Sequence, residues 1–249
     1  MAKNAFLGWS VTRNVFFVFL LGKLVRYLSY FGFLYFLIKG SNGLLGYTQN
    51  QALFVTATYI FIDTVTQFFF RGVYTFRQLV ITGDFDLILV KPTSALFRVA
   101  LGGPDPIDFV TIPPLLVILI WVGVNLHPSF VHVILYILLV LNAFLVYAAI
   151  HIFVVSIGII TLEVDYLINL FRDFTSMGRF PVEIYREPLR TILTFVIPVG
   201  IMFTVPARAL GGILGFWEFV GVMFFGVAIF ILSLKFWNFA LTKYTSASS

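Results

Sequence analysis

Long apolar runs closed by cations recur along this chain, and most are close to the length that a bilayer-crossing helix needs, about 20 residues. The first run, Asn14 to Ile38, exceeds that length and contains Lys23 and Arg26. A cation at mid-membrane costs roughly 3 kcal/mol on insertion scales. The cheaper arrangement ends an interfacial helix near Gly22 and begins the first span near Leu24. That predicts an elbow over 5–22, lying in the headgroup plane on Phe6, Trp9, Phe16 and Phe17, and a span over about 24–41. Arg26 then lies at the cytoplasmic rim and Lys39 snorkels at the far end. Further spans are predicted over 51–71, over 107–124 with a kink at Pro113 and Pro114, over 130–160, and over 219–241. Asn125 to Ser129 reads as a tight turn. The fourth run is too long for an upright crossing, so it tilts or extends beyond the bilayer.

Between Thr161 and Trp217 the pattern leaves two arrangements open. Leu189 to Val205 is the more apolar candidate for the fifth span, but it is short and carries Pro198. Residues 162–178 make a poorer span that holds Glu163, Asp165, Arg172 and Asp173. Under the second arrangement, 180–209 dips into the outer leaflet and returns. Irregular backbone at that depth must be covered by protein or line a water-filled cavity. Both arrangements give an all-α integral membrane fold in one domain, 1–249.

Composition removes the soluble alternative. Of 249 residues, 60% are hydrophobic and 11% charged, against about 25% charged in a soluble domain. The mean hydropathy is +1.02. Many of the 31 phenylalanines suit lipid-facing positions. The net charge of +5 forms no basic stripe for nucleic acid. Lys3, Arg13, Lys23 and Arg26 precede the first span, Arg71, Arg77, Lys91 and Arg98 separate the second from the third, and Lys235 and Lys243 close the chain. Lys39 and Arg208 lie on the other side, so both termini are expected in the cytoplasm. The N-terminus lacks a small-residue cleavage site after its apolar run and is expected to be retained.

Catalytic chemistry finds little support. With no cysteine, the chain has no disulfide, thiolate site or cysteine nucleophile. His127, His132 and His151 are scattered, without metal-ligand spacing. No phosphate loop, G-x-S-x-G elbow or H-E-x-x-H pair occurs. The chain is therefore not expected to be an enzyme or to bind a cofactor. If ATP drives it, nucleotide and Mg sit on another polypeptide.

Two polar features invite function. In the stretch from Arg77 to Phe97, Gly83 can end the helix that leaves the second span. Asp84 and Asp86 suit the positive end of a short following helix, and Lys91 and Pro92 stop it. Such a helix could dock into a partner or simply join two spans. Within the second span, Thr56, Tyr59, Asp63, Thr66 and Gln67 recur at helical spacing. They form a candidate pathway or an interhelical polar contact, with Lys23 or Arg26 as conceivable partners of Asp63.

Gly83, Asp86, Leu89, Lys91 and Pro92 fit the G-x-x-D-x-x-L-x-K-P stretch of the ABC-2 family transporter proteins, and the chain resembles that bacterial permease family over nearly its whole length. Gly46-Tyr47-Thr48, Phe180 to Tyr185, Leu189-Arg190, Phe195 to Pro198, Pro206 and Tyr244 to Ala247 are similar to it as well. The resemblance implies a type V exporter-like fold: an elbow helix, six transmembrane helices, a coupling helix between the second and third, and an extracellular re-entrant segment before the last. The coupling region would be 77–100, with Gly83, Asp84, Asp86, Leu89, Lys91 and Pro92 meeting the ATPase. The re-entrant element would be 180–209, marked by Pro181, Glu183, Pro198 and Pro206, which favours 162–178 as the fifth span. The implied activity is export across the bacterial cytoplasmic (inner) membrane of an unidentified cargo, with aromatic walls pointing to an amphipathic or lipid-like one. Implied partners are cytoplasmic ABC ATPase subunits, a second copy or a related permease, and membrane lipid. An ATP-independent carrier or channel is the rival reading. An intramembrane lipid-modifying enzyme using Asp63, Asp165 or Asp173 is a weaker third.

Overall fold

The computed structural model describes residues 13–41, 46–103, 105–161 and 164–245, and within them it is helical with no strand. Helix α1 (Arg13–Ser41) is followed by α2 (Gln49–Phe70), a 3-10 turn (Arg71–Thr75) and three short helices, α3 (Phe76–Ile81), α4 (Asp84–Leu89) and α5 (Ala95–Ala100). Then come α6 (Pro106–Val124), α7 (Phe130–Thr161) and α8 (Val164–Ser176), which runs into a 3-10 turn (Met177–Arg179). The bent pair α9 (Leu189–Val196) and α10 (Gly200–Leu210) precedes the last helix, α11 (Phe216–Leu241). Five helices, α1, α2 continued into α3, α6, α7 and α11, are long and apolar enough to cross a membrane, and the bent pair makes a sixth if it is one broken span. The protein is a multi-pass membrane protein.

The break expected near Gly22 is absent. Helix α1 runs without interruption through Gly22 and Lys23, and the anchors Phe6 and Trp9 fall outside the described residues. The physical reason is a tertiary partner: the Lys23 ammonium is paired with the Asp108 carboxylate of α6. A paired cation no longer has to be kept out of the helix. Helix α2 starts where Gly46 turns the chain, at φ +89°, and Thr48 closes a capping box with Gln51. The Gln51 amide donates to Thr48 Oγ1 (3.4 Å), and the Thr48 amide donates to Gln51 Oε1 (2.9 Å). Helix α6 continues through Pro113 and Pro114, and Asp105 caps it, accepting from the Ile107 amide at 2.9 Å.

The most extensive helix pairing is α7 with α11, and α2 with α6 comes next. Asn142 of α7 donates from Nδ2 to the Val222 carbonyl (3.0 Å), and its amide fills the space above Gly226. A methyl group at Gly226 would collide with the Asn142 side chain. Gly226→Ala should therefore cost about 1–3 kcal/mol through overpacking, read as a lower unfolding temperature of the detergent-solubilised chain. An unchanged temperature would mean that α7 and α11 do not approach this closely.

Helix α8 buries Val164, Ile168, Phe171 and Thr175 and leaves Asp165, Asn169, Arg172 and Asp173 exposed. Its first turn meets the continuation of α2 into α3, where Arg77 Nη1 lies 3.5 Å from Asp165. The turn that follows it meets the opposite part of α2, where Thr56 Oγ1 donates to the Arg179 carbonyl at 2.7 Å. By length and apolarity α8 is not itself among the span candidates. Leu162 and Glu163, the start of the span expected over 162–178, lie outside the described residues.

Candidate functional site

The polar segment after α2 folds into a compact hairpin of short helices. Gly83 sits at φ +77°, a conformation that suits a residue without Cβ, and it reverses the chain between α3 and α4. Thr82 Oγ1 donates to Asp84 Oδ2 (2.8 Å), which holds a carboxylate at the positive end of α4. Phe85 is fully buried, with ring centroids 5.1 Å from Phe76, 5.1 Å from Tyr244 and 6.5 Å from Trp237. Helix α4 is thus stapled to α3 on one side and to the end of α11 on the other. Asp86 lies beside Tyr244, and desolvation, then the neighbouring carboxylate, pushes the phenol up to about 12. The opposite face of this segment is exposed: Leu87, Leu89, Val90, Lys91 and Pro92, with Phe97 of α5 close behind in the chain. The sequence-identified residues Gly83, Asp84, Asp86, Leu89, Lys91 and Pro92 all lie in this unit. Phe85, which anchors it, was not singled out. Its signal is one apolar side chain between two carboxylates.

The stripe on α2 points inward. Thr56, Tyr59, Asp63 and Thr66 are buried and Gln67 is partly so. Asp63 accepts from the Tyr147 hydroxyl of α7 at Oδ1 (3.0 Å) and from Gln67 Nε2 at Oδ2 (2.6 Å). Thr66 Oγ1 donates to the Ile62 carbonyl (2.8 Å), and the Tyr59 ring packs edge-on against Phe203 of α10, 5.1 Å away. The stripe therefore joins α2 to α7, to the turn after α8 and to α10. His151 packs below it, its Nδ1 3.0 Å from the Tyr147 carbonyl and its ring stacked between Phe70 and Tyr147. Lys23 takes Asp108 as its partner rather than Asp63.

At the end of the molecule away from α4, one cation gathers three segments. Arg208 of α10 holds Glu218 of α11 in a fork (Nη1–Oε1 2.6 Å, Nη2–Oε2 3.2 Å), and its Nη1 lies 3.9 Å from Glu183 Oε1. The Val182 amide donates to Thr204 Oγ1 (3.2 Å). The residues entering the bent pair therefore contact the residues leaving it. Pro198 is buried at the 72° bend, and Pro181 and Pro206 are buried near its two ends. Ala207 and Leu210 pack on Phe54, Leu119 and Val122. A cavity of about 410 Å³ opens here, lined by Glu183, Glu187, Arg190, Thr194, Arg208 and Glu218 among others. Tyr47 lies beside Glu183, and its phenol is pushed upward by burial first and by that carboxylate second. Among the described residues, no three His, Asp or Glu side chains come together as a metal site.

Compared with known families, residues 24–248 match the family described as ABC-2 family transporter protein. No curated protein and no solved structure matches the chain.

Proposed function

Since the chain belongs to the ABC-2 family of transporter proteins, whose members are membrane transport components and not themselves catalytic, we propose that it is the permease of an ATP-driven exporter. The observation that carries this reading is the build of α4. One face is locked by Phe85 onto α3 and the end of α11, while Leu87, Val90 and Lys91 are exposed on the other. An apolar patch rimmed by charge suits a groove on a partner. A push delivered there reaches α2 through Phe76 and α11 through Trp237 as displacement of packed rings, because cores transmit strain rather than absorb it.

In this scheme, paired ATPase subunits carry ATP and Mg and close on binding nucleotide. Two permeases, identical or related, then switch their shared cavity from inward to outward access in the cytoplasmic membrane. Both termini and α4 face the cytoplasm. Helix α8 serves as the fifth crossing, and the contacts of Arg77 and Thr56 near its two ends support that. In this reading the bent pair is re-entrant, which the 3.9 Å approach of Glu183, ahead of the pair, to Arg208, near its end, supports, since a broken span would carry its ends to opposite faces. Thr56, Tyr59, Asp63, Thr66 and Gln67 link the moving helices beside the cargo path.

The test is purification of the tagged chain in mild detergent from its native membrane. A nucleotide-binding subunit should accompany it at matching stoichiometry. Leu87→Glu with Val90→Glu, and separately Asp86→Ala with Lys91→Ala, should each abolish that association while leaving the chain folded. A chain that purifies alone, under conditions that keep other ABC complexes together, would overturn the reading and favour an ATP-independent carrier.

A further inference from the structure

Three arginines sit where α1, α2 with its continuation, and α8 with its following turn come together, and each meets a tyrosine ring. The Arg172 guanidinium lies 5.6 Å from the Tyr74 ring centroid, Arg26 lies 5.5 Å from Tyr27, and Arg179 lies 4.7 Å from Tyr30. Among the described residues, none of the three has a carboxylate within salt-bridge reach. The other cations nearby are matched, Lys23 with Asp108, Arg71 with Asp105 and Arg77 with Asp165. Asp63 is the carboxylate that acts on Arg26, but both its oxygens are engaged by Tyr147 and Gln67. Asp173 is exposed beside Arg172 on α8.

The three belong to one junction rather than three places. Arg179 lies over Tyr30 of α1 while its carbonyl accepts from Thr56 of α2, the Tyr27 and Thr64 hydroxyls join α1 to α2 at 2.9 Å, and Arg172 lies over Tyr74 just beyond α2. They also climb. Arg172 shares Tyr74 with Arg71 at the C-terminal end of α2, and Arg179 is tied at its carbonyl to Thr56. From Arg172 to Arg179, helix α8 and its turn rise about 10 Å at ~1.5 Å per residue.

An aromatic face positions a guanidinium without cancelling its charge, whereas a carboxylate would cancel it. Unmatched cations at membrane depth are costly and face something other than lipid chains. We propose that Arg172, Arg26 and Arg179 form an ascending track for the anionic headgroup of an amphiphilic cargo, a lipid-like molecule carrying phosphate or carboxylate. The tyrosine walls accommodate the adjoining apolar part. This assignment rests on the export reading for its direction of travel, but not for the binding itself.

The test therefore uses the purified full-length chain and needs no ATPase. Native mass spectrometry would titrate dilauroyl phosphatidylglycerol against dilauroyl phosphatidylcholine, with glycerol 3-phosphate as a free headgroup. Wild type should prefer the anionic lipid, and glycerol 3-phosphate should not displace it. Arg26→Gln, Arg172→Gln and Arg179→Gln should each weaken anionic binding by about tenfold, the loss of one charged hydrogen bond, and leave the neutral lipid unaffected. Arg179→Lys should recover part of the loss, and Lys243→Gln, beyond the last helix and away from the three arginines, should change nothing. An anionic preference that survives all three glutamine variants would overturn the track, as would its absence in wild type or full competition by glycerol 3-phosphate. A track confirmed in a chain that purifies without an ATPase would instead leave the binding intact and reject the exporter.

Discussion

Replacing Lys23 by methionine is expected to destabilise the chain by about 3–5 kcal/mol, because it leaves a buried carboxylate without its counterion. Asp108 is completely buried, its Oδ1 is paired with the Lys23 ammonium, and its Oδ2 has no hydrogen-bond partner among the described atoms. Little else there can hold the charge. The carboxylate lies in the first turn of α6, where the helix dipole returns up to about 2 kcal/mol, so the loss belongs at the lower end of that range. Asp108→Asn should cost less. The stranded ammonium is 16% exposed, and its long stem lets it reach toward solvent. Combining Lys23→Met with Asp108→Asn removes both charges and should recover most of the stability, since a buried pair replaced by uncharged groups is often close to neutral. Thermal unfolding of the four proteins in detergent gives the coupling. If Lys23→Met alone matches wild type, the pair does not form and the unbroken path of α1 needs another cause.

That pair also marks the limit of reading this fold from its sequence. Length and apolarity located α2, α6, α7 and α11 to within a few residues, because bilayer thickness is an external ruler that each run meets by itself. Gly46-Tyr47-Thr48 ahead of Gln51 resolves into a turn and a capping box, both local. The break expected at Gly22 was wrong for a non-local reason: the partner that makes Lys23 tolerable lies 85 positions away on α6. Helix α8 carries charges that the sequence could not pair, and the fold brings one of them, Asp165, to Arg77. The spacing of Asp63 on α2 was visible, but its partner Tyr147 was one tyrosine among 11. Phe85 could not stand out in a chain with 31 phenylalanines until the fold showed which one fastens α4.

The arrangement around Arg208 yields an almost all-or-none result. The natural chain has no cysteine, so a single introduced thiol is the only target of an impermeant reagent. Glu187→Cys, exposed before α9, should label on intact cells, while Thr93→Cys, exposed after α4, should label only after permeabilisation. Thr204→Cys should remain silent, because that position is fully buried under Val182. Arg208→Gln should change this last result. Arg208, Glu183 and Glu218 are each 22–35% exposed, so solvent screens them and the loss is not that of a deeply buried network. An order-of-magnitude cost of 1–2 kcal/mol remains, because two carboxylates are left facing each other without a cation. Each 1.4 kcal/mol multiplies the open population about tenfold, so thiol labelling at position 204 should accelerate by roughly that factor when Arg208 is changed. Labelling at 187 only after permeabilisation would mean that the bent pair lacks this orientation. Labelling at 204 indifferent to Arg208 would mean that the cation does not hold the element shut. In that case the packing of Ala207 and Leu210 on Phe54 would have to account for its closure.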